Sequence, residues 1–330
     1  MTERTYTAAV AQLSPAFLDL DESLSIAVRA IEEAASAGAR LVVFPETWLP
    51  GYPVWADAGI AWEDEAQKRA FARLHRNAVE VPGPATELLG KAARAGGVHL
   101  VIGMTERDAL FSGGTLFNSL LFVSDEGEVL GVHRKLVPTH SERVIWGRGD
   151  GSTLHVFDTS LGRIGGLICW EHWMPLARFS MHAKGEQVHA AVWPDLPEMH
   201  HLASRTYAFE GRCYVTCAGI YLPLDAVPDD LEVRDAIVEV ARANDDPSLV
   251  LIGGSGIVDP AGAWVADPVV GKEELILGDI DLDRIAEEQQ ALDTAGHYHR
   301  PDVFRVTVDE TPQVPVTWQR DEHQDERQDL

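Results

Sequence analysis

Three reactive side chains follow short apolar segments at widely separated points of the chain. Glu46 comes two residues after LVVF, Lys135 directly follows GVHR, and Cys169 directly follows GGLI. A thiol with an unperturbed pKa of about 8.5 is mostly protonated at neutral pH, although the thiolate is the nucleophile. A carboxylate can take the thiol proton, and an ammonium group can stabilise both the thiolate and an anion forming on a substrate. These residue types therefore indicate nucleophilic catalysis by a cysteine.

The segments that precede these three residues read as buried β-strands. In α/β proteins, ligands bind outside the carboxyl ends of the strands, so residues at the ends of neighbouring strands converge on one pocket. The sequence after Cys169 also predicts a helix, whose first backbone N–H groups and positive dipole end favour negative charge. The catalytic interpretation therefore requires that the three strands be neighbours in space.

Each of these residues also has an ordinary structural interpretation. A lone cysteine on a strand is usually a small buried hydrophobe, and a lysine at a strand end usually protects a sheet edge. His172 raises the alternative of a cysteine–histidine protease, but it adjoins the cysteine, and adjacent side chains rarely face each other. Four further residues could offer metal ligands: His200, His201, Cys213 and Cys217. The two cysteines share one face of a predicted strand, which core packing explains, so no metal is expected.

Hydrophobic periodicity predicts alternating strands and helices over most of the chain. Strands are predicted at 6–12, 41–44, 98–104, 116–124, 129–135, 153–158, 163–168, 188–193 and 213–220, with three more in GSGIVDP, AWVAD and ELILGDIDL. Helices are predicted at 21–37, 65–80, 85–95, 173–184 and 198–211, the first capped by Asp21 or Ser23. The acidic segment 222–247 reads as a surface excursion.

The order of these elements predicts the fold class. A turn at 125–128 joins two strands in a hairpin, whereas other strands alternate with helices, so we expect an α/β protein with mixed sheets. Several strands are apolar throughout, which predicts that both of their faces are buried. Helices on one side and a second sheet on the other would cover them.

Composition limits the partners and the compartment. The 330 residues include 27 Lys and Arg against 52 Asp and Glu, a formal net charge of −25. Such a surface repels phosphate backbones and anionic headgroups, so neither nucleic acid nor a membrane is expected as a partner. Three cysteines are too few for a disulfide framework and suit a reducing cytoplasm. No segment approaches about 18 consecutive apolar residues, and the N-terminus lacks the pattern of a signal peptide.

Three sequence blocks surround the reactive residues. FPETWLPGYP (44–53), HRKLVPTHSERVIWGRGDG (133–151) and ICWEHWMPLAR (168–178) resemble, in order and spacing, the signature blocks of the nitrilase superfamily of carbon–nitrogen hydrolases. EGRCYV (210–215) and GHYHRPDVF (296–304) extend the likeness over most of the chain. The run Cys169-Trp170-Glu171 is similar to the nitrilase branch in particular.

The resemblance implies an α-β-β-α sandwich with two mixed sheets, formed by residues 1–306. Residues 307–330 would form a tail, and the charged and polar sequence from Gln319 predicts that it is partly disordered. The family pattern places catalytic roles on Glu46, Lys135 and Cys169, with Glu142 as a fourth member. It also implies homodimers, which nitrilases often extend into spiral homo-oligomers.

Further residues in or near these blocks are candidate substrate contacts: Tyr52, Trp146, Trp170, Trp173, Trp193 and Pro194. As pocket walls, the aromatic rings would suit an apolar nitrile substituent. Aromatic residues at strand ends are equally common as core or interface residues, and this alternative stays open.

The implied reaction converts an organic nitrile to a carboxylic acid and ammonia. Cys169 would add to the nitrile carbon while Glu46 takes its proton, and Lys135 and a backbone N–H near Trp170 would stabilise charge on nitrogen. Water then hydrolyses a thioimidate and a thioester, with Glu46 alternating as base and acid. That role requires a pKa closer to neutrality than a free carboxylate has, which a nearby Glu142 would favour.

This chemistry requires no metal or organic cofactor. Two alternatives remain within the same family. An amidase would use the same three residues on amides, since the two reactions converge at the thioester. A non-catalytic, filament-forming homologue would be free to lose one of the three, which the complete set disfavours.

Overall fold

The structure, a computed structural model, describes residues 4–59, 61 and 63–317. The strands in this part of the chain are β1 (Thr5–Gln12), β2 (Ala39–Val43), β3 (His99–Arg107), β4 (Leu116–Val123), β5 (Val129–Arg134), β6 (Val156–Thr159), β7 (Gly162–Ile168), β8 (Val188–Val192), β9 (Tyr214–Ala218), β10 (Tyr221–Pro223), β11 (Leu249–Val258), β12 (Trp264–Val270) and β13 (Glu274–Asp281). The predicted strands all occur, and the hairpin at 125–128 joins β4 to β5 as expected.

The α-helices are α1 (Leu20–Ser36), α2 (Glu65–Arg76), α3 (Pro84–Gly96), α4 (Pro175–Ala183), α5 (Glu198–Gly211), α6 (Arg234–Arg242) and α7 (Leu282–Gln289). The predicted caps of α1 are wrong, because Asp19 is the N-cap and its side chain accepts from the Glu22 N–H. The helix predicted to follow Cys169 begins only at Pro175, since the short 3₁₀ helix Cys169–Trp173 comes first.

The strands form two mixed sheets, as predicted. The first sheet has the order β13-β1-β2-β3-β4-β5, with β1, β2 and β3 parallel and the other pairs antiparallel. The second has the order β10-β11-β9-β8-β7-β6, with β12 beside β11, and its central strands β7, β8 and β9 are parallel. The parallel strands lie at the middle of each sheet, so their carboxyl ends form a shared edge.

The two sheets pack face to face with helices outside. Alternate residues of β1 show this: Ala9 and Ala11 belong to the apolar core that includes α1 and α3, whereas Ala8 and Val10 belong to the core that includes the strands of the second sheet. Direct contacts of β1 with β9 and of β4 with β7 join the sheets. The predicted α-β-β-α sandwich is therefore confirmed.

The segment 222–247 is more than the surface excursion that its acidic composition predicts. It contains α6, whose Ile237 and Ala241 are buried, and Leu231 and Val233 are buried before it. The helix packs against the 3₁₀ helix Val54–Ala58 and against β11. The apolar residues recur at helical spacing, and this outweighs the high charge of the segment.

Part of the predicted tail lies on the surface of the domain. Residues 307–317 form neither helix nor strand, yet the Gln313 N–H donates to Asp150 Oδ2 at 2.7 Å and Lys184 pairs with Glu310. Residues 318–330, where the sequence predicts disorder, lie outside the described residues, so the tail prediction and the boundary at 306 stay predictions. Within the described residues, no helix combines the length and apolar character needed to cross a bilayer.

Candidate active site

Glu46 lies in a loop that is fastened to β3. The Phe44 N–H donates to the Val101 carbonyl at 2.8 Å, and the Leu49 N–H donates to the Gly103 carbonyl at 3.1 Å. The loop passes so close to Gly103 that a Cβ there would lie 2.1 Å from the Pro45 carbonyl oxygen. Only glycine permits this approach, which leaves the Glu46 side chain fully buried at the end of β2.

Lys135 follows β5 and is held by backbone bonds on both sides. Its N–H donates to the Asn118 carbonyl at 2.8 Å, and its own carbonyl accepts from the Gly149 N–H at 2.8 Å. The side chain is 1% exposed, which is rare for a lysine without an ionic partner.

Cys169 follows β7 in a strained backbone conformation. Its φ of 55° lies in the left-handed region, which costs a non-glycine residue on the order of 1–2 kcal/mol. The left-handed turn ends the strand abruptly and starts the 3₁₀ helix Cys169–Trp173. Such strain persists where surrounding contacts impose it, and it is concentrated at functional sites.

The three strand ends meet, as the sequence hypothesis requires. Lys135 Nζ donates to Glu46 Oε1 at 2.8 Å and to Glu142 Oε2 at 2.7 Å. Cys169 Sγ and one oxygen of each carboxylate lie within 4.8 Å of one another. Four residues from four separate segments thus form one buried cluster of a thiol, an ammonium and two carboxylates.

This cluster is the one group of described residues close enough to offer three metal ligands. Lys135 bridges both carboxylates, however, so a cation would have to displace a charge that is already buried there. The alternative ligands do not assemble: His200 Nδ1 bonds the Asp195 carbonyl and His201 Nε2 bonds the Gly254 carbonyl.

Burial and charge set the protonation states of the cluster. Burial raises the pKa of Glu46 to about 7, against the opposing charge of Lys135 and with support from Glu142. Burial and then Glu46 raise the pKa of the Cys169 thiol well above its ordinary value, although Lys135 opposes them. Burial alone would lower the pKa of Lys135, but the negative groups around it raise the pKa overall. The resting cluster therefore holds a neutral thiol, a charged lysine and a titratable Glu46.

Asn118 is a member of the site that sequence reasoning missed. Its side-chain Nδ2 donates to Glu46 Oε1 at 2.6 Å, while its backbone carbonyl accepts from the Lys135 N–H. Both donors, Asn118 and Lys135, bond to Oε1, and the other oxygen of Glu46 has no hydrogen-bond partner among the described residues. The feature of the sequence that could have indicated this residue is the presence of an asparagine in the largely apolar strand LFNSLLFV.

Glu142 is oriented by two donors besides Lys135. The Tyr52 hydroxyl donates to Oε1 at 2.9 Å and the Thr139 N–H donates to Oε2 at 2.7 Å. Tyr52 also packs on Trp146, with ring centroids 5.8 Å apart. Two candidate substrate contacts, Tyr52 and Trp146, therefore lie beside the carboxylates.

The other candidate substrate contacts are more dispersed. Trp170 and Trp173 are 53% and 39% exposed, on the turn after Cys169. Trp193 is fully buried and stacks between His172 and His200, with centroid distances of 4.8 and 4.3 Å. Pro194 is half-buried and its carbonyl accepts from the Ile220 N–H. Contact with a substrate stays a prediction for all of them.

Glu171 does not face the thiol but connects two strand ends. Its carboxylate accepts from the Ile168 N–H at 2.7 Å and from the Leu136 N–H at 2.8 Å. It also pairs with His133 Nε2 at 2.9 Å. Those backbone groups adjoin Cys169 and Lys135, so one buried carboxylate fixes the backbone at Cys169 relative to the backbone at Lys135.

We expect Glu171→Gln to lower kcat at least about tenfold, because small displacements of reacting groups are costly. Gln cannot accept all three bonds, and the buried pair with His133 is broken, so unfolding free energy should fall by up to about 3–5 kcal/mol. Steady-state kinetics and urea denaturation measure the two effects.

The matched control is Glu287→Gln, which removes an exposed pair with Arg284 and should change stability by less than about 1 kcal/mol. Equal activity in Glu171→Gln and the wild type would show that the carboxylate does not position the site.

Comparison with known proteins supports the same family. The family model for carbon–nitrogen hydrolases matches residues 7–290. The chain is 41% identical over 317 residues to the bifunctional nitrilase/nitrile hydratase NIT4A of Lupinus angustifolius, covering 95% of this chain and 89% of that protein. It is 40% identical over 314 residues to the aliphatic nitrilase of Sinorhizobium fredii (strain HH103), covering 94% and 98%.

Solved structures show the same fold at low sequence identity. The carbon–nitrogen hydrolase of Helicobacter pylori G27 has a TM-score of 0.68 at 18% identity and covers 91% of this chain and 97% of that one. The C. elegans NitFhit protein has a TM-score of 0.69 at 18% identity and covers 96% and 70%. The family-model match and the sequence relatives together show that the chain belongs to the carbon–nitrogen hydrolase family, in its nitrilase branch.

Proposed function

We propose that the protein is a nitrilase that hydrolyses an organic nitrile to the carboxylic acid and ammonia. The observation that carries the proposal is the buried cluster in which Cys169 faces Glu46 and Glu142, with Lys135 bridging the two carboxylates. The named nitrilases at about 40% identity along nearly the whole chain support it.

The first step is addition of the thiol to the nitrile carbon. Because the thiol is neutral at rest, the free oxygen of Glu46 accepts its proton as the S–C bond forms. One electron pair of the C≡N bond moves to nitrogen, where protonated Glu46 returns the proton and a thioimidate results. Lys135 and the Trp170 N–H stabilise the charge on nitrogen during the addition.

Hydrolysis then releases the two products in turn. Glu46 deprotonates a water that attacks the thioimidate carbon and passes the proton to nitrogen. The tetrahedral intermediate then expels ammonia, which takes the hydroxyl proton by way of Glu46, and a thioester is left. A second water attacks the thioester, the carboxylic acid leaves, and the thiol recovers its proton. A Glu46 pKa of about 7 suits both the acid and the base role at neutral pH.

The tetrahedral intermediate can also expel the thiol instead of ammonia, which yields an amide. The name of the Lupinus relative includes both nitrilase and nitrile hydratase. The amide should therefore be assayed as a by-product alongside the acid. Amide hydrolysis remains the alternative activity for the same cluster.

The test is ammonia, acid and amide release over a panel of aliphatic, arylacetonitrile, aromatic and dinitrile substrates with matched amides. We expect turnover of at least one nitrile class with acid as the main product. Hydrolysis of the amides without turnover of any nitrile would overturn the assignment in favour of an amidase. No hydrolysis of either class would favour a non-catalytic homologue.

The pH dependence of kcat/KM should reflect the ionisation of Glu46. Since Glu46 must be ionised to take the thiol proton, we expect kcat/KM to rise with pH through an apparent pKa near 7. The Asn118 hydrogen bond lowers the pKa of Glu46, so Asn118→Ala should move the acidic limb to higher pH.

Ser119→Ala is the matched control on the same strand, because its hydroxyl donates to Glu106 and not to Glu46. The acidic limb should keep its position in this variant. A limb that stays in place or moves to lower pH in Asn118→Ala would contradict the assignment.

We propose that the protein forms a homodimer or larger homo-oligomer through α4 and α5. Met199, Leu202 and Phe209 lie on one stripe of α5, and Leu176 lies on the adjoining α4; all four are about half exposed or more. A second copy would cover this apolar face. Each copy carries a net charge of −25, so salt should favour association.

Sedimentation analysis should show a wild-type assembly that Leu202→Glu dissociates. The control Leu88→Glu changes an exposed leucine on α3, outside this face, and should leave the assembly intact. A monomeric wild type, or equal assembly of the two variants, would contradict the proposed surface.

The reducing cytoplasm is the proposed location, since all three cysteines are free and buried.

A further inference from the structure

A chain of buried side chains leads from the core to the backbone of the nucleophile. Tyr207 donates to Glu186 Oε2 at 2.6 Å, and Glu186 Oε1 lies 2.8 Å from His189 Nδ1. His189 Nε2 lies 2.9 Å from His172 Nε2, and His172 Nδ1 lies 2.6 Å from the Cys169 carbonyl oxygen. The four side chains are at most 3% exposed, and we call them the Glu186 relay.

The direction of each bond in the relay follows from the last acceptor. A carbonyl oxygen only accepts, so His172 Nδ1 carries a proton. In a neutral ring His172 Nε2 then accepts, and His189 Nε2 donates to it. The Nδ1 of a neutral His189 must accept in turn, and among the described residues the one group placed to donate is a protonated Glu186 carboxyl.

Burial favours this neutral arrangement over an ion pair. Among the described residues, His189 is the one basic group within ion-pairing distance of Glu186, and moving the proton to it would place two charges in a fully buried site. Burial raises the pKa of Glu186 to about 8, and burial lowers the pKa of His189 and of His172 well below its ordinary value. These shifts agree with the geometry.

The anchored carbonyl has a consequence for the reaction. In a trans peptide the C=O and the next N–H point in opposite directions, so fixing the Cys169 carbonyl also fixes the Trp170 N–H. That N–H lowers the pKa of the Cys169 thiol, although burial raises it by more. It is also the backbone donor assigned above to the developing charge on the substrate nitrogen.

We propose that Glu186 is a positioning residue that works as a neutral acid. Its proton fixes the tautomers of His189 and His172, and through them the orientation of the Trp170 N–H. This inference rests on the proposed function for its effect on nitrile turnover, but its effect on the thiol is independent of the substrate.

The test compares Glu186→Gln with Glu186→Leu. Gln keeps the shape, donates to His189 Nδ1 and accepts from Tyr207, so its kcat should stay within about threefold of the wild type. Leu breaks the relay, and we expect kcat to fall about 10- to 100-fold with KM changed less than about threefold, as for a misdirected oxyanion donor. A loss as large in Gln as in Leu would overturn the neutral acid, and wild-type kinetics in Leu would overturn the positioning role.

A second measurement separates this inference from the nitrilase assignment. The rate of Cys169 alkylation by iodoacetamide, corrected with Cys169→Ala, should fall in Glu186→Leu and not in Glu186→Gln. This result can stand even if no nitrile is hydrolysed, in which case only the proposed function fails. Equal alkylation rates in the two variants would overturn the relay.

A third measurement does not depend on the leucine variant folding. The infrared difference spectrum of wild type minus Glu186→Gln at neutral pH should show the C=O stretch of a protonated carboxylic acid, shifted in D₂O. The symmetric and antisymmetric stretches of a carboxylate in its place would show that Glu186 is ionised and would overturn the proposal.

Discussion

Replacement of Cys169 by alanine should lower kcat by at least about 10⁴-fold, for nitriles and for amides alike. No other thiol can substitute, because Cys213 and Cys217 lie in and beside β9 and are not part of the cluster with Glu46 and Glu142. Loss of a covalent nucleophile removes the chemical pathway, and the remaining site gives only residual catalysis. Ammonia release measures the activity, and mass spectrometry should find no acyl adduct on the variant.

The fold should survive this substitution. Alanine occupies the left-handed conformation at a cost similar to that of cysteine, and the Cys169 backbone contacts do not involve the sulfur. Circular dichroism should be unchanged, with a stability difference of about 1 kcal/mol or less.

Cys217→Ala is the matched control for Cys169→Ala. It removes an equally buried thiol from β9 and should retain full turnover. Turnover by Cys169→Ala above the background of a protein-free reaction would show that the nucleophile is wrongly assigned.

Replacement of Lys135 by methionine should abolish turnover and also destabilise the protein. The variant leaves Glu46 and Glu142 buried as like charges with their shared cation removed, and loss of one partner of a buried ion pair costs about 3–5 kcal/mol. Protonation of a carboxylate relieves the repulsion, so the loss should be smaller at acidic pH than at pH 8. Urea denaturation at several pH values measures this effect.

The double variant Lys135→Met with Glu142→Gln separates the two effects. It restores charge balance in the cluster, so much of the lost stability should return. Activity should not return, because no ammonium is left to stabilise the thiolate or the anionic nitrogen. Recovery of turnover in the double variant would mean that Lys135 serves stability alone.

The sequence by itself determined most of the fold and which residues are candidates for the chemistry. Apolar runs with period-two or helical spacing are local, so the strands and most helices could be predicted to within a few residues. Few residue types can act as nucleophile, base and cation, which made Glu46, Lys135 and Cys169 candidates, and the resemblance of the three sequence blocks to the nitrilase superfamily then favoured them over the ordinary structural interpretations. The segment 222–247 was wrongly predicted to be only a surface excursion, because its many charged residues made the helical spacing of the buried residues in α6 hard to recognise.

Only the tertiary structure decided how those residues are arranged. Glu46 and Lys135 are 89 residues apart and meet because β2 and β5 lie in one sheet, while Cys169 arrives from the other. Asn118, Glu171 and Glu186 make hydrogen bonds to residues 72, 35 and 21 positions away in the chain, which no local pattern records. Burial, too, is a property of the assembled core, and it is burial that brings the pKa of Glu46 to about 7 and leaves the Cys169 thiol neutral at rest.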